Sequence, residues 1–113
     1  IKWAIESVQL GSFIKTLPDG LETKIFPDGR QLSSSNAQKI LLARSIVNKP
    51  KILFYEDPLD KMDEEASKEI IDFLTNSSNQ WTVIVSSKNN YWEQKCSRKI
   101  TLQNGKIIAD LKK

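Results

Sequence analysis

The stretch LSSSNAQKILLARSIVNKPKILFYEDPLD, Leu32 to Asp60, decides the fold. Behind three consecutive serines, Ile40, Ala43 and Val47 recur at helical spacing, and Leu42 and Ile46 widen that face. The spacing predicts a helix over about 36–48, covered on more than one side. Ser35 and Gln38 have capping-box spacing: a hydroxyl accepts from a free backbone N–H while the amide reaches back. Pro50 blocks continuation. KILFYE then runs without alternation, which predicts a short strand buried on both faces, as in a parallel sheet. It ends in Glu56 and Asp57. Helix starts bind phosphate through unpaired N–H groups, and ligands of α/β sheets gather at the carboxyl ends of strands. Both ends of this stretch are therefore candidate phosphate positions. An ordinary helix cap at the serines and a solvated acidic turn before Pro58 fit the same residues.

The flanks extend the pattern. Trp3, Ala4 and Val8 predict a helix to about Leu10, then a break at Gly11 and a second short helix through Phe13, Ile14 and Leu17. Two Pro-Asp-Gly triplets, at 18–20 and 27–29, predict an irregular connector. Downstream, DEEASKEIIDFLTN is amphipathic, with Ala66, Ile70, Phe73 and Leu74 on one face. Asp63 is its candidate N-cap, and Glu64 and Glu65 suit the positive end of its dipole. WTVIVSS predicts a second buried strand, and Tyr91 to Lys95 a short helix. Asn104-Gly105 between two β-rich runs is a hairpin signal. Strands alternating with helices predict an α/β fold around a mostly parallel sheet.

Composition narrows the chemistry. The chain has 113 residues, the size of one small domain or of part of a larger one. It has no histidine, which excludes imidazole catalysis and imidazole metal ligation. Its one cysteine, Cys96, allows no internal disulfide and suits a reducing compartment. A net charge of +3 gives no case for nucleic acid, and the scattered Trp3, Trp81 and Trp92 form no stacking platform. No apolar run reaches bilayer length. The opening IKWAIESVQL, without Met or a disordered lead, is expected of a piece of a longer protein.

These residues carry a resemblance. The chain is similar to the C-terminal half of the ATP-binding domain of ABC transporters, especially exporters. The family runs LSGGQ, a helix ending LARAL, then NPKILILDEATSALD; residues 32 to 63 align with it without a gap. FIKTLPDGLETKI resembles the family's entry to the signature. TVIVSS resembles the strand leading to the switch histidine, and EQKCSRKITLQNGKII the closing CDRIIVLDNGKIV. The resemblance implies a partial P-loop NTPase (RecA-like) half-sheet, preceded by part of a helical subdomain and closed by a β-hairpin. The helical part would span 1–50 and the core half 51–113.

The implied roles follow residue by residue. Ser33, Ser34, Ser35 and Asn36 occupy the signature, which contacts the γ-phosphate of ATP held by the opposite subunit. Glu56 takes the position of the Mg²⁺-holding acid and Asp57 that of the general base. Asp60 and Asp63 fall in the D-loop, where Asp63 serves equally as a helix cap. Ser87 takes the switch-histidine position. A slipped register would make Asp57 the metal acid, but it needs a gap and turns the side chain to the other face. The implied cofactor is Mg-ATP in the longer protein, with none bound tightly by this piece. The implied partners are the N-terminal half of the same domain, a second ATP-binding domain and membrane-spanning domains, at the cytoplasmic face; the piece itself would be soluble. The departures are specific. No G-x-x-x-x-G-K-[ST] loop occurs, serines replace the signature glycines, Asn36 replaces the signature glutamine, and the acid pair is inverted. These favour, as an alternative, a degenerate structural or regulatory module; an ABC-type ATPase outside transport is a second alternative, against which the exporter-like FIKTLPDGLETKI and the lack of a basic patch stand.

Overall fold

A computed structural model describes residues 2–17, 19–22 and 33–112. The element order is α1 (Lys2–Ser7), α2 (Gly11–Lys15), a 3-10 turn (Gly20–Glu22), α3 (Ser34–Ile46), β1 (Ile52–Glu56), α4 (Glu64–Leu74), β2 (Thr82–Ser86), α5 (Tyr91–Lys95), β3 (Arg98–Gln103) and β4 (Lys106–Lys112). The fold is mixed α/β. β1 and β2 pair in parallel, in register from Ile52↔Thr82 to Glu56↔Ser86. β3 and β4 form a separate antiparallel hairpin. The single mostly parallel sheet expected from the sequence is thus two small sheets among the described residues.

Local chemistry explains the boundaries. α1 stops three residues before Leu10 because Gln9 turns left-handed (φ 65°). Leu10 N then bonds Ile5 O at 2.9 Å and Gln9 N bonds Glu6 O at 3.1 Å, the two bonds of a Schellman end, with Leu10 buried beneath. Gly11 opens α2 instead of breaking the chain. α4 starts on its predicted cap: Asp63 is extended and its Oδ1 accepts from Ala66 N at 2.8 Å. At the hairpin tip Asn104 (φ 51°) and Gly105 (φ 77°) both adopt the left-handed backbone that a two-residue turn requires. Most of the predicted connector, including its second Pro-Asp-Gly triplet, lies outside the described residues.

One core joins the helices to β1 and β2. It gathers Ala4, Val8 and Leu10, then Leu42, Ala43 and Ile46 of α3, Leu53 of β1, Ile70, Ile71 and Leu74 of α4, and Trp92 of α5. The Ser45 and Tyr55 hydroxyls, 2.7 Å apart, fasten α3 to β1. Burial pushes the Tyr55 phenol up, partly offset by that bond. Trp3, Phe73 and Trp81 meet edge to face, with centroids 5.9–6.4 Å apart, a cluster their sequence spacing did not announce.

The expectation that both strands are buried on two faces is wrong. Leu53, Tyr55, Val83 and Val85 face the core, but Phe54 is 71% exposed, with Ile52 and Ile84 on the same side. Among the described residues nothing covers that face. The hairpin likewise exposes Leu102, Ile107 and Leu111. Apolar faces of this kind associate. The chain is expected to self-associate with rising concentration in sedimentation, and Phe54→Lys with Ile84→Lys to reverse it. A strictly monomeric chain at high concentration would refute this.

Candidate functional site at the ends of the parallel strands

Ser33 caps α3. Its backbone is extended (φ −67°, ψ 157°) and its Oγ accepts from Asn36 N at 3.1 Å. The cap is therefore Ser33 and not Ser35, and the helix begins two residues earlier than its spacing predicts. Gln38 closes no capping box, because its side chain is engaged elsewhere. Its Nε2 donates to Asp60 Oδ1 at 2.5 Å and its Oε1 accepts from Lys61 N at 3.0 Å. Ser34 is exposed, while Ser35 and Asn36 are half-buried. Helix geometry leaves the first amides of α3 without an intrahelical partner.

The acids diverge. Glu56 closes β1 on the uncovered face, and among the described residues its carboxylate makes no hydrogen bond or ion pair. Asp57 takes a left-handed backbone (φ 39°), which aspartate tolerates better than most residues. Its N–H donates to Ser86 O at 2.8 Å, extending the ladder. Its Oδ1 accepts from Lys88 N at 3.0 Å, and Ser87 lies beside the same carboxylate. The Lys88 amide first, then Ser87, hold the Asp57 carboxyl below the usual aspartate range.

A cavity of about 370 Å³ opens here, lined in part by Asp57, Asp60, Ser87, Lys88, Asn89 and Trp92. The structure thus brings Asp57, Asp60 and Ser87 together. Glu56, Ser33 to Asn36 and Asp63 do not line it. Sequence reasoning missed the Lys88 amide, Asn89 and Trp92 as parts of the site. The run of Ser and Asn before α5 carried a signal, for these residues build turns from their own side chains. Ser87 Oγ accepts from Asn89 N, and Asn89 Oδ1 from Tyr91 N, each at 3.0 Å. Trp92 is 3% exposed, and its Nε1 has no hydrogen-bond partner among the described residues.

A carboxylate that accepts a backbone N–H hydrogen bond and is held below its usual range stays ionised and is a weak proton acceptor. Asp57 therefore anchors the turn after β2 more readily than it takes a proton. Mg²⁺ asks for one or two carboxylates, waters and phosphate oxygens. Glu56 offers one such carboxylate. Among the described residues, no three acid or thiol side chains converge.

The depressed carboxyls fix a sign for stability. Asp57, Asp72 and Asp110 all lie below their ordinary value, held by Lys88 N, the Tyr91 hydroxyl and Arg98 respectively. Their contribution is present above the unfolded aspartate value of about 3.9 and is lost as pH falls through the lower folded values. Urea midpoints are expected to be level from pH 7 to about 5 and to fall below pH 4. A midpoint that rises on acidification would contradict this.

The strand–helix architecture and its capped helix define a class: the chain has the fold of an ABC exporter segment. It superimposes on a bacterial Atm1-family ABC exporter solved with ATP bound, at a TM-score of 0.84 and 21% identity, over 95% of this chain and 19% of that one. The chain is homologous to ABC transporters over nearly its whole length. It is 33% identical to the ABC-type transporter kk1G of Curvularia clavata across 96% of this chain and 8% of that protein. It is 36% identical to the macrolide export ATP-binding/permease protein MacB of Bdellovibrio bacteriovorus across 80% and 14%. It is 30% identical to ABC transporter B family member 13 of Arabidopsis thaliana across 92% and 8%. The chain spans less than a sixth of these relatives. No protein-family model matches it. No helix among the described residues is long and apolar enough to cross a membrane.

Proposed function

We propose that the chain is the C-terminal part of the ATP-binding domain of an ABC exporter that couples ATP binding and hydrolysis to transport. Residues 1–50 belong to the helical subdomain and 51–113 to the second half of a RecA-like core. The observation that carries this is the meeting of Asp57 and Ser87 at the carboxyl ends of two parallel strands. It is supported by the open groove of about 790 Å³ between the two sheets, lined by β2 residues Thr82 to Val85 and by Arg98 and Ile100 of β3. In this reading the groove takes a further strand of the longer protein, and Glu56 would hold Mg²⁺. Asp57 stands at the attacking water and Ser87 near the γ-phosphate. Ser33 to Asn36, with Asp63, face the nucleotide of a second ATP-binding domain. Mg²⁺ supplies charge neutralisation between phosphates. Membrane-spanning domains are the remaining partners.

One observation favours a second reading. Asp57 already spends a carboxylate oxygen on Lys88 N, as a module retained for assembly or regulation would allow. Calorimetry with Mg-ATP tests the first reading. The chain alone, without the phosphate loop, is expected to bind in the millimolar range at best. The longer protein is expected to bind in the micromolar range. A micromolar isotherm from the chain alone, or none from the longer protein, would overturn it.

A further inference from the structure

We propose that Gln38 is a positioning residue: it ties the loop 57–63 to the start of α3, so that the strand-end cavity and the serine-capped helix start move as one unit. The loop is also fastened away from α3. Asp57 holds the turn after β2 through Lys88 N, Leu59 is buried in the core, and Asp63 caps α4. The side-chain hydrogen bonds that join it to α3 come from Gln38, as donor to Asp60 Oδ1 and acceptor from Lys61 N. The two bonds fix the amide's orientation. A flipped amide would set its oxygen against the Asp60 carboxylate and its NH₂ against the Lys61 N–H, two repulsions in place of two bonds. Asp60 also lines the cavity, so the amide joins one wall of it to α3. One polar side chain thus links the serine-capped helix to the loop that follows the acid pair. Its functional meaning rests on the nucleotide reading above; the linkage itself does not.

Amide hydrogen exchange on the whole chain, followed by NMR without nucleotide, tests the linkage. Gln38→Ala is expected to speed exchange at Lys61, its direct partner. It is also expected to speed exchange about fivefold at Lys88, which Gln38 does not touch, since about one hydrogen bond of order is lost from the loop. Coupling is reciprocal, so Asp57→Ala should speed exchange at Lys61 as well as at Lys88. Asp60→Asn keeps an oxygen for Gln38 and should leave Lys88 as in the unaltered chain, whereas Asp60→Ala should not. A change confined to Lys61 overturns the proposal, and so does equal behaviour of the two Asp60 variants. Equal acceleration at Ile70 and Ile71, deep in the core, would report global destabilisation and would overturn it too. Because no nucleotide is present, failure of the linkage and failure of the ATP reading are separate results.

Discussion

Exchanging the acids, Glu56→Asp with Asp57→Glu, is expected to raise steady-state ATP turnover of the longer protein about tenfold or more, since misplaced catalytic groups typically cost that much. In the unaltered chain Glu56 is one methylene longer than the acid expected at the metal position. Asp57 is one shorter than the expected base, and its oxygen is held at 3.0 Å by Lys88 N. A glutamate at 57 reaches past that amide toward the cavity. It also places a longer side chain on a backbone at φ 39°, which costs about 1 kcal/mol. Rate and stability are therefore expected to move in opposite directions, which a general improvement in folding would not produce. Glycine at Ser34 and Ser35 should act chiefly on ATP-driven closure of two ATP-binding domains, because it lets backbone approach phosphate across that interface. Phosphate release at saturating Mg-ATP is the measurement. Brisk turnover before the exchange and none after it would make Glu56-Asp57 a working arrangement. Absence of hydrolysis in both would favour the structural reading.

Replacing Ile71 with alanine is expected to cost about 2–5 kcal/mol, the range for a fully buried aliphatic side chain reduced to a methyl, and Ile46→Ala is expected to cost the same. Both isoleucines have 0% exposure. Small domains hold about 5–15 kcal/mol in all, so either change removes a large part of the stability. Ile46 ends α3 and Ile71 lies in α4, and both belong to the one core. Leu41, on the same helix as Ile46, is 63% exposed, and its alanine variant should stay within about 0.5 kcal/mol. Urea denaturation decides. Equal shifts for Leu41 and Ile46 would mean that the inner face of α3 contributes no more than its outer one.

Much of the fold was legible because its signals are local. Asp63 caps α4 and Asn104-Gly105 turns the hairpin as their residue types require. Tyr91 to Lys95 form the short helix, and Pro50 lies beyond the end of α3. Ser33 shows where local reasoning stops. Three adjacent serines can each cap a helix. The choice among them is coupled to Gln38, whose partners lie 22 and 23 positions away in another loop. The buried-strand expectation failed for a similar reason. An apolar run reports what a strand can bury, and only neighbouring elements decide which of its faces is covered.

The sequence by itself determined where helices, strands and the hairpin lie, because propensity, caps and turn residues act within a few positions. It also placed two acids at a strand end and serines at a helix start. Only the tertiary structure decided what those groups touch. The register of β1 against β2 brings Ser86 beside Glu56 and carries the next residues, Ser87 and Lys88, to the carboxylate of Asp57, some thirty positions away in the chain. Alternation along β1 leaves Glu56 on the open face with Phe54, whereas the left-handed backbone at Asp57 turns its carboxylate to the turn after β2.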